Sequence, residues 1–292
     1  MRLFYSRRAA PWLLLAPAIA FGVVFYAAPI IVSLYLSFTD WNPLGAPRWR
    51  GIGNYHYLLT ADPLFWRSLL NTLVFAGGST AIGIPAALAL ALAVTSSRGR
   101  AAWRAIFWLP AITNVVAVGY VWQYVLDPTY GIVNRALAAL GVSGPDWLSA
   151  PATAMLSVAC VMAWMTIGHN MLLFSAGIEA IDPAVLEAAR SDGASRSQML
   201  RLIVLPMLRP TMLFVLITTL ISGMGYFALI LVMTEGGPDD STMVTALYMY
   251  RMAFEALRMG RASAVAFILL GVTVLLSLLQ FRLIGRDAEA GA

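Results

Sequence analysis

Lysine is missing from this sequence of 292 residues, and all nineteen of its basic residues are arginines. A chain without lysine cannot contain the P-loop that holds nucleotide phosphates, because that motif requires one. It cannot form a Schiff base through a lysine side chain either. The single cysteine, Cys160, excludes an internal disulfide bond and a metal site built from several cysteines.

Charged residues are also few: they make up 11% of the chain, while 60% of it is hydrophobic. Soluble domains have about 25% charged residues. Six runs contain no Asp, Glu or Arg, and each can cross a hydrocarbon core of about 30 Å, which takes about 20 helical residues. In lipid the backbone must satisfy its own hydrogen bonds, so helices are expected. We therefore predict an all-α integral membrane protein with six transmembrane helices, in the runs 11–38, 68–97, 105–126, 147–178, 210–234 and 262–281.

The distribution of arginines predicts the orientation of these helices. If the N-terminus is cytoplasmic, twelve arginines fall in cytoplasmic segments and seven fall outside. The positive-inside rule therefore favours cytoplasmic positions for both termini. The cytoplasmic set is Arg2, Arg7, Arg8, Arg98, Arg100, Arg104, Arg190, Arg196, Arg201, Arg209, Arg282 and Arg286, and the outside set is Arg48, Arg50, Arg67, Arg135, Arg251, Arg258 and Arg261.

The start of the chain allows two interpretations. The stretch YSRRAAPWLLLAPAIA has the basic start, apolar core and small residues of a cleaved signal peptide. Its apolar run continues to Phe38, however, far beyond the usual apolar core, which favours a retained first helix. The loops between the runs are too short to fold as separate domains. We therefore expect one membrane domain at 11–284, between a cytoplasmic N-terminus at 1–10 and a cytoplasmic tail at 285–292.

Ionisable side chains within the apolar runs would point to an ion or proton pathway. All fourteen acidic residues lie outside the six runs, and His169 is the one histidine inside them. This distribution disfavours a proton-driven carrier, although sodium could still be held by backbone carbonyls. We find no nucleophile at a usable spacing from a base and no spacing of metal ligands. We therefore expect neither a metal site nor an enzymatic activity.

Neutral polar and aromatic residues do occur within the runs. One interpretation is that they hydrogen-bond between helices, as such side chains do in membrane bundles. The other is that they line a wet cavity, where amide groups bind the hydroxyls of a ligand and aromatic rings cover its C–H faces. The candidates for this ligand path are Asn114, Trp122, Gln123, Trp164, Asn170, Tyr226 and Phe227.

The longest charged stretch, EAARSDGASRSQMLRLIVLPMLRP, predicts two helices joined by a sharp corner. Asp182 and Pro183 form a favourable helix start, with Asp as the N-cap and Pro in the first position. Gly193 can adopt the left-handed conformation that ends a helix. Ser195 and Gln198 have the spacing of a capping box for the next helix, which should end near a proline and lead into the fifth span. The pattern alone also fits a connector that rests its arginines on lipid headgroups.

Parts of this stretch resemble the EAA loop of permease subunits in binding-protein-dependent ABC importers. They are Glu187-Ala188-Ala189, Asp192-Gly193-Ala194 and Leu205-Pro206, in that order before the penultimate span. Other stretches resemble the carbohydrate-uptake branch, in the class of the maltose and glycerol-3-phosphate permeases: LSFTDWN, GIGNYHYLL, NTLVF, LPAITNVVAVGYVWQYVLDPTYGIVN and TEGGP. The likeness covers nearly the whole chain.

The resemblance implies the compact six-span form of the type I ABC importer permease fold, in the plasma (inner) membrane. It implies a second homologous permease subunit, an ATPase dimer that binds ATP and magnesium, and an extracytoplasmic substrate-binding protein, with no cofactor on this chain and no nucleic acid. It also implies that segment 179–209 is a coupling loop seated in a groove of the ATPase, through Glu187, Ala188, Ala189, Asp192, Gly193, Ala194 and Pro206.

The stretch TEGGPDDST has two interpretations. The resemblance places four of its residues against the binding protein: Thr234, Gly236, Gly237 and Pro238. Otherwise it is a plain turn with a solvated acidic pair. Upstream, Ala228 follows Phe227 where many relatives have a polar residue, which departs from the family's pattern.

Together these observations predict one half of a heterodimeric importer for a sugar, such as an oligosaccharide or a related polyol. The second choice is that the same machinery imports glycerol-3-phosphate, a glycerophosphodiester or an amino sugar. Two alternatives belong to different classes. An ion-coupled carrier would transport without an ATPase, and a membrane enzyme would turn over its substrate as a lone subunit.

Overall fold

The structure, a computed structural model, describes residues 10–289, with side chains as far as residue 283. The predicted cytoplasmic N-terminus and tail are therefore largely outside the described residues. Arg2, Arg7 and Arg8 precede them, and the side chain of Arg286 lies beyond those described.

Most of the described residues lie in fifteen α-helices, as the composition predicts. They are α1 (Ala10–Gly22), α2 (Ala28–Ser37), α3 (Gly53–Thr60), α4 (Pro63–Thr95), α5 (Arg100–Ile112), α6 (Val115–Val125), α7 (Ile132–Ala139), α8 (Pro151–Glu179), α9 (Pro183–Ser191), α10 (Arg196–Met199), α11 (Leu205–Met207), α12 (Arg209–Met224), α13 (Ala228–Met233), α14 (Thr245–Tyr250) and α15 (Met259–Glu289). Three π-helical turns, Val23–Ala27, Leu200–Val204 and Arg251–Glu255, continue neighbouring helices. The strands β1 (Thr39–Asp40) and β2 (Arg48–Trp49) pair antiparallel.

Among the described residues, four unbroken helices are long and apolar enough to cross a membrane, and two bent pairs raise the number to as many as six. The unbroken ones are Pro11–Ser37, Pro63–Thr95, Pro151–Glu179 and Met259–Leu283. The pairs are Arg100–Ile112 with Val115–Val125, bent by 95°, and Arg196–Met207 with Arg209–Met224, bent by 63°. Multiple apolar helices are thus confirmed, while the count of six spans and their orientation stay predictions.

Two predicted runs are not single helices. Run 105–126 breaks between α5 and α6, because the side chain of Asn114 starts α6 as its N-cap and leaves Thr113 in an extended conformation. Run 210–234 is divided between α12 and α13, since Gly225 ends α12 and Phe227 has non-helical backbone angles. Hydropathy alone does not report such breaks, because residues on both sides are equally apolar.

The contacts divide the chain into two compact units, which we describe separately. The small unit comprises the described residues up to Pro63 together with Met249–Ile268, and the large unit comprises Leu64–Tyr248 and the described residues from Leu269 onwards.

In the small unit, a network of hydrogen bonds joins the end of α2 to α3. The Asn54 Nδ2 group donates to the carbonyl oxygens of Ser37 and Thr39, both at 2.8 Å, and the Tyr55 hydroxyl donates to Ser37 Oγ at 2.7 Å. Gly260 packs so closely that an added Cβ would collide with the Thr39 carbonyl oxygen. The stretches LSFTDWN and GIGNYHYLL therefore form one local structure.

In the large unit, α4, α8 and α12 share an apolar core. Its buried members are Ile84, Ala87, Ala91, Val94, Met171, Phe174 and Val215. Small residues bring the helices together: a Cβ at Gly83 would lie 3.5 Å from the Ala163 Cα. In a membrane, such close packing associates helices better than apolarity does, because lipid tails are as apolar as leucine.

Candidate functional site

The charged stretch folds as the sequence predicts. We call residues 182–207 the elbow. Its first helix, α9, begins with Asp182 as the N-cap, whose Oδ1 accepts a hydrogen bond from the Ala184 N–H at 2.9 Å, and with Pro183 in the first position. This bond satisfies a donor that a helix start otherwise leaves free. Both predictions for the helix start are confirmed.

A glycine forms the corner of the elbow. Gly193 has φ +79°, a conformation that residues with a Cβ rarely adopt. The Gly193 N–H donates to the Arg190 carbonyl and the Ala194 N–H to the Ala189 carbonyl, both at 3.0 Å. This pair of bonds is the Schellman arrangement, which closes the carbonyl end of a helix. The predicted left-handed glycine is confirmed.

The second half of the elbow starts with a reciprocal cap. The Ser195 N–H donates to Gln198 Oε1 at 2.8 Å, and the Gln198 N–H donates to Ser195 Oγ at 3.3 Å. The predicted capping box is thus confirmed. The helix continues through a π-helical turn to Met207, and the chain then bends into α12.

The surface of the elbow is open, while its two ends are anchored. Every residue of α9 is exposed or half-buried. Of the predicted coupling residues, Glu187, Ala188, Asp192 and Gly193 are exposed, and Ala189, Ala194 and Pro206 are half-buried. Ile181 before α9 and Leu208 after α11 are buried in the large unit. The elbow is therefore a projecting element on a fixed base.

A cluster of three charges lies at the base of the elbow. Arg104 Nη2 donates to Glu179 Oε1 at 2.7 Å, and Arg100 Nη1 donates to the same oxygen at 3.4 Å. The Glu179 side chain is 36% exposed, and that of Arg104 24%. The Glu179 cluster (Arg100, Arg104 and Glu179) thus links the last residue of α8 to the first turn of α5.

Farther along α5 and α8, the two backbones touch. A Cβ on Gly168 would collide with the Phe107 carbonyl oxygen and would lie 2.9 Å from the Trp108 Cα. Only glycine permits this approach, because the neighbouring atoms belong to a backbone.

Two of the predicted ligand-path residues form hydrogen bonds between their side-chain amide groups and the backbone. Asn114 Oδ1 accepts from the N–H groups of Val116 and Ala117, at 2.9 and 3.3 Å, and the residue is exposed. Gln123 Nε2 donates to the carbonyl oxygens of Val232 and Met233, at 2.8 and 3.2 Å. Asn114 therefore shapes the bend between α5 and α6, and Gln123 ties α6 to the end of α13.

Aromatic ligand-path candidates meet beside this bend. The Trp122 and Trp164 rings lie edge to face, with centroids 5.5 Å apart, and Trp164 is 40% exposed. Trp164 also lines a largely apolar cavity of about 470 Å³, with Leu90, Ile106, Phe107, Leu109, Pro110, Thr113 and Ile167.

The remaining ligand-path candidates differ in accessibility. Asn170 is 2% exposed, and its Nδ2 group donates to Thr219 Oγ1 at 3.2 Å, which joins α8 to α12. This geometry is what the helix-packing interpretation predicts, and it does not expose the amide to a ligand. Tyr226 and Phe227 are half-buried in the break between α12 and α13.

The Thr234–Thr242 loop is compact and strained. The Thr234 and Thr242 hydroxyls are 2.7 Å apart, and Thr242 Oγ1 donates to the Gly237 carbonyl at 2.7 Å. Glu235, Asp239 and Asp240 have positive φ angles, between 47° and 56°. Such backbone is stable only when its surroundings hold it in place.

Two residues of the NTLVF stretch provide that support. Asn71 Nδ2 donates to the carbonyl oxygens of Asp240 and Met243, at 2.9 and 3.0 Å. Thr72 Oγ1 accepts from the Thr245 N–H at 2.8 Å. The first turns of α4 therefore hold the loop in one conformation.

A cleft of about 480 Å³ lies beside this loop. Its walls include Thr234, Gly237 and Pro238 from the loop, and Leu148 and Ser149 just before α8. The elbow follows the other end of α8, a helix of 29 residues, which corresponds to roughly 43 Å. Cleft and elbow are therefore at opposite ends of one long helix.

Comparisons with known proteins agree with this arrangement. The family described as the binding-protein-dependent transport system inner membrane component matches residues 79–286. The chain belongs to this family. It is 33% identical to the probable ABC transporter permease protein YesP of Bacillus subtilis, over 94% of this chain and 89% of that protein. It is also 33% identical to the lactose transport system permease protein LacF of Rhizobium radiobacter, over 92% of each.

A solved structure is similar over the whole length of the chain. It is a bacterial alginate ABC transporter, in complex with a periplasmic protein bound to an alginate pentasaccharide. One of its chains matches with TM-score 0.84 and 25% identity, over 99% of each chain. The prediction of a permease subunit is therefore confirmed, and so is its class: a non-catalytic, multi-pass membrane protein whose ATPase is a separate chain.

Sequence reasoning did not identify several residues that shape the site. Glu179, Arg104 and Gly168 went unnoticed because their partners lie on other helices. One signal was present: Arg100 and Arg104 are four residues apart, so they share a helix face, and a nearby anion would relieve their repulsion. Nothing in the spacing indicates that Glu179 provides it.

Proposed function

We propose that this chain is one of two permease subunits in an ATP-driven importer of a carbohydrate, such as an oligosaccharide or a related polyol. Support comes from its similarity to a lactose permease and to an alginate transporter. The observation that carries the proposal is the elbow, which is exposed and has a capped start for each of its two helices. It contains the EAA residues in α9 and the DGA residues at its corner.

The elbow would act as the coupling element. Its caps hold α9 and the second helix in a fixed relation, so a push on α9 moves the whole elbow rather than unwinding it. Glu187 is exposed on α9 and can pair with a basic group of an ATPase, while Ala188 and Ala189 allow close contact. ATP and magnesium would bind to the ATPase dimer, and closure of that dimer would drive rigid-body motion of the helices.

The second permease subunit would cover apolar surface that this chain leaves open. Almost every side chain of Pro11–Ser37 is exposed, including Trp12, Phe25 and Tyr26. A surface of this kind requires lipid or another helix around it. With both termini in the cytoplasm, the elbow would face the ATPase in the cytoplasm, and the Thr234–Thr242 loop would face the binding protein outside the plasma membrane.

The ligand path would follow the bend between α5 and α6. Asn114 is exposed there and the Trp122–Trp164 pair lies beside it, with Tyr226 and Phe227 at the break of α12. Aromatic faces suit the C–H patches of a sugar, and amide groups suit its hydroxyls. Gln123 and Asn170 would support the walls of the path through their bonds to neighbouring helices.

Charge reversal at each end of the large unit tests the proposed coupling. Glu187→Arg is expected to abolish co-purification of the ATPase, because its basic partner would then face a like charge. Gly193→Pro should have the same effect, because proline cannot adopt φ +79°. Co-purification with the tagged permease pair and ligand uptake in membrane vesicles would be measured.

Asp239→Arg is the matched control, since Asp239 is exposed on the Thr234–Thr242 loop. This variant should retain the ATPase and instead weaken binding of the extracytoplasmic protein. Normal co-purification of the ATPase with both elbow variants would contradict the proposed coupling role. A ligand screen on the binding protein, with oligosaccharides, polyols and glycerol-3-phosphate, would then identify the cargo.

A further inference from the structure

The Glu179 cluster joins the end of α8, near the base of the elbow, to the start of α5. Glu179 is the last residue of α8, and only three residues separate it from the start of α9. Asp182, the third of these, caps α9 directly, so Glu179 lies three residues before the first residue of the elbow's first cap. Arg100 and Arg104, which share this carboxylate, belong to α5.

Helix α5 packs along α8. Every one of its residues is exposed or half-buried. Its firm contact with α8 is the backbone approach at Gly168, which lies about eleven residues, or roughly 16 Å, along α8 from Glu179. The short bond between Arg104 and Glu179 adds a polar tie nearer the start of α5.

Helices α5 and α6 form one bent element, the α5–α6 element, and α6 reaches the opposite end of the large unit from the elbow. Helix α6 follows α5 after the 95° bend. It is tied to the end of α13 by the two Gln123 hydrogen bonds, and by a fit so close that a Cβ on Gly119 would lie 2.6 Å from Val232 Cγ1. Residue Met233, a partner of Gln123, directly precedes the Thr234–Thr242 loop.

We propose that Glu179 and Arg104 are positioning residues that transmit movement of the elbow to the α5–α6 element, and through it to the Thr234–Thr242 loop. This inference rests on the proposed function, because it assigns a route to the coupling that an ATPase would drive. The pair is a charge-assisted bond at 2.7 Å between partly exposed groups, and it is a directional tie between the two helices. Removal of this pair should leave folding largely unaffected, since partly exposed ion pairs add little stability.

The test uses the whole complex of permease pair, ATPase and binding protein in proteoliposomes. Ligand uptake and ATP hydrolysis are measured together, and uptake per ATP is compared among variants. Glu179→Gln and Arg104→Gln should each lower this ratio on the order of tenfold, within the usual range for coupling between sites. The exchange Glu179→Arg with Arg104→Glu should restore the ratio to within about twofold. Arg98→Gln, in the exposed turn just before α5, should change nothing.

Two readouts separate this inference from the proposed function. The ATPase should still co-purify with every variant, which distinguishes lost transmission from lost docking. Uptake per ATP equal to that of the wild type in both single variants would overturn the inference, as would failure of the exchange variant to recover. If the wild-type complex itself shows no ATP-dependent uptake, the proposed function fails instead.

Discussion

At the scale of single residues, close backbone approaches decide where the helices lie. Gly168 is the clearest case, because α5 passes over it with the Phe107 carbonyl in direct contact. Glycine is common in membrane helices, so its presence in α8 indicated little by itself. The structure is needed to identify this contact, since the sequence does not specify which helix crosses α8 at Gly168.

Gly168→Ala should destabilise the protein by about 1–3 kcal/mol, the usual cost of overpacking. The added Cβ would meet backbone atoms of Phe107 and Trp108, which cannot move aside as a flexible side chain can. Thermal unfolding in detergent measures the effect. Gly271→Ala is the matched control, because nothing lies within 4 Å of its added Cβ, and its unfolding temperature should stay equal or rise. Equal behaviour of the two variants would show that the α5–α8 contact does not limit stability.

At the scale of elements, the sequence predicted helix ends better than helix continuity. Asp182, Gly193, Ser195 and Gln198 act within one turn of their own helix, so their spacing was sufficient. The break at Asn114 was missed, although asparagine is a strong N-cap, because the apolar residues on both sides suggested one uninterrupted span. Tertiary contacts of α6 with α13 then hold the bend that the local sequence only permits.

Asn114 should have two separable roles, which substitution can distinguish. Asn114→Ala removes the cap of α6 and should cost about 1 kcal/mol of stability. Asn114→Ser retains a capping oxygen, so stability should be preserved, but it removes the amide donors proposed to bind the ligand. We therefore expect Asn114→Ser to raise the KM for uptake with an unchanged unfolding temperature. Unchanged uptake kinetics in Asn114→Ser would remove Asn114 from the ligand path.

At the scale of the whole molecule, composition predicted the class of protein and the resemblance predicted its family. Membership of the transport-system family confirms the second prediction. The ligand path was harder to predict, because an amide in an apolar run has the same sequence signature whether it binds the ligand or another helix. Asn170 illustrates this, since its partner Thr219 is 49 residues away in sequence. The EAA residues were easier to interpret, because they form a continuous exposed segment.

At this scale the account also predicts that the chain cannot transport alone. It contains no lysine, so it cannot bind ATP through a P-loop. The energy for transport would therefore enter through the elbow, from the ATPase of the complex.

The most direct test compares ligand uptake by the lone chain and by the full complex in proteoliposomes. We predict no accumulation by the lone chain under a sodium or proton gradient. The complex with the second permease, the ATPase and the binding protein should accumulate ligand only when ATP is hydrolysed. Accumulation by the lone chain, driven by either gradient, would contradict the account.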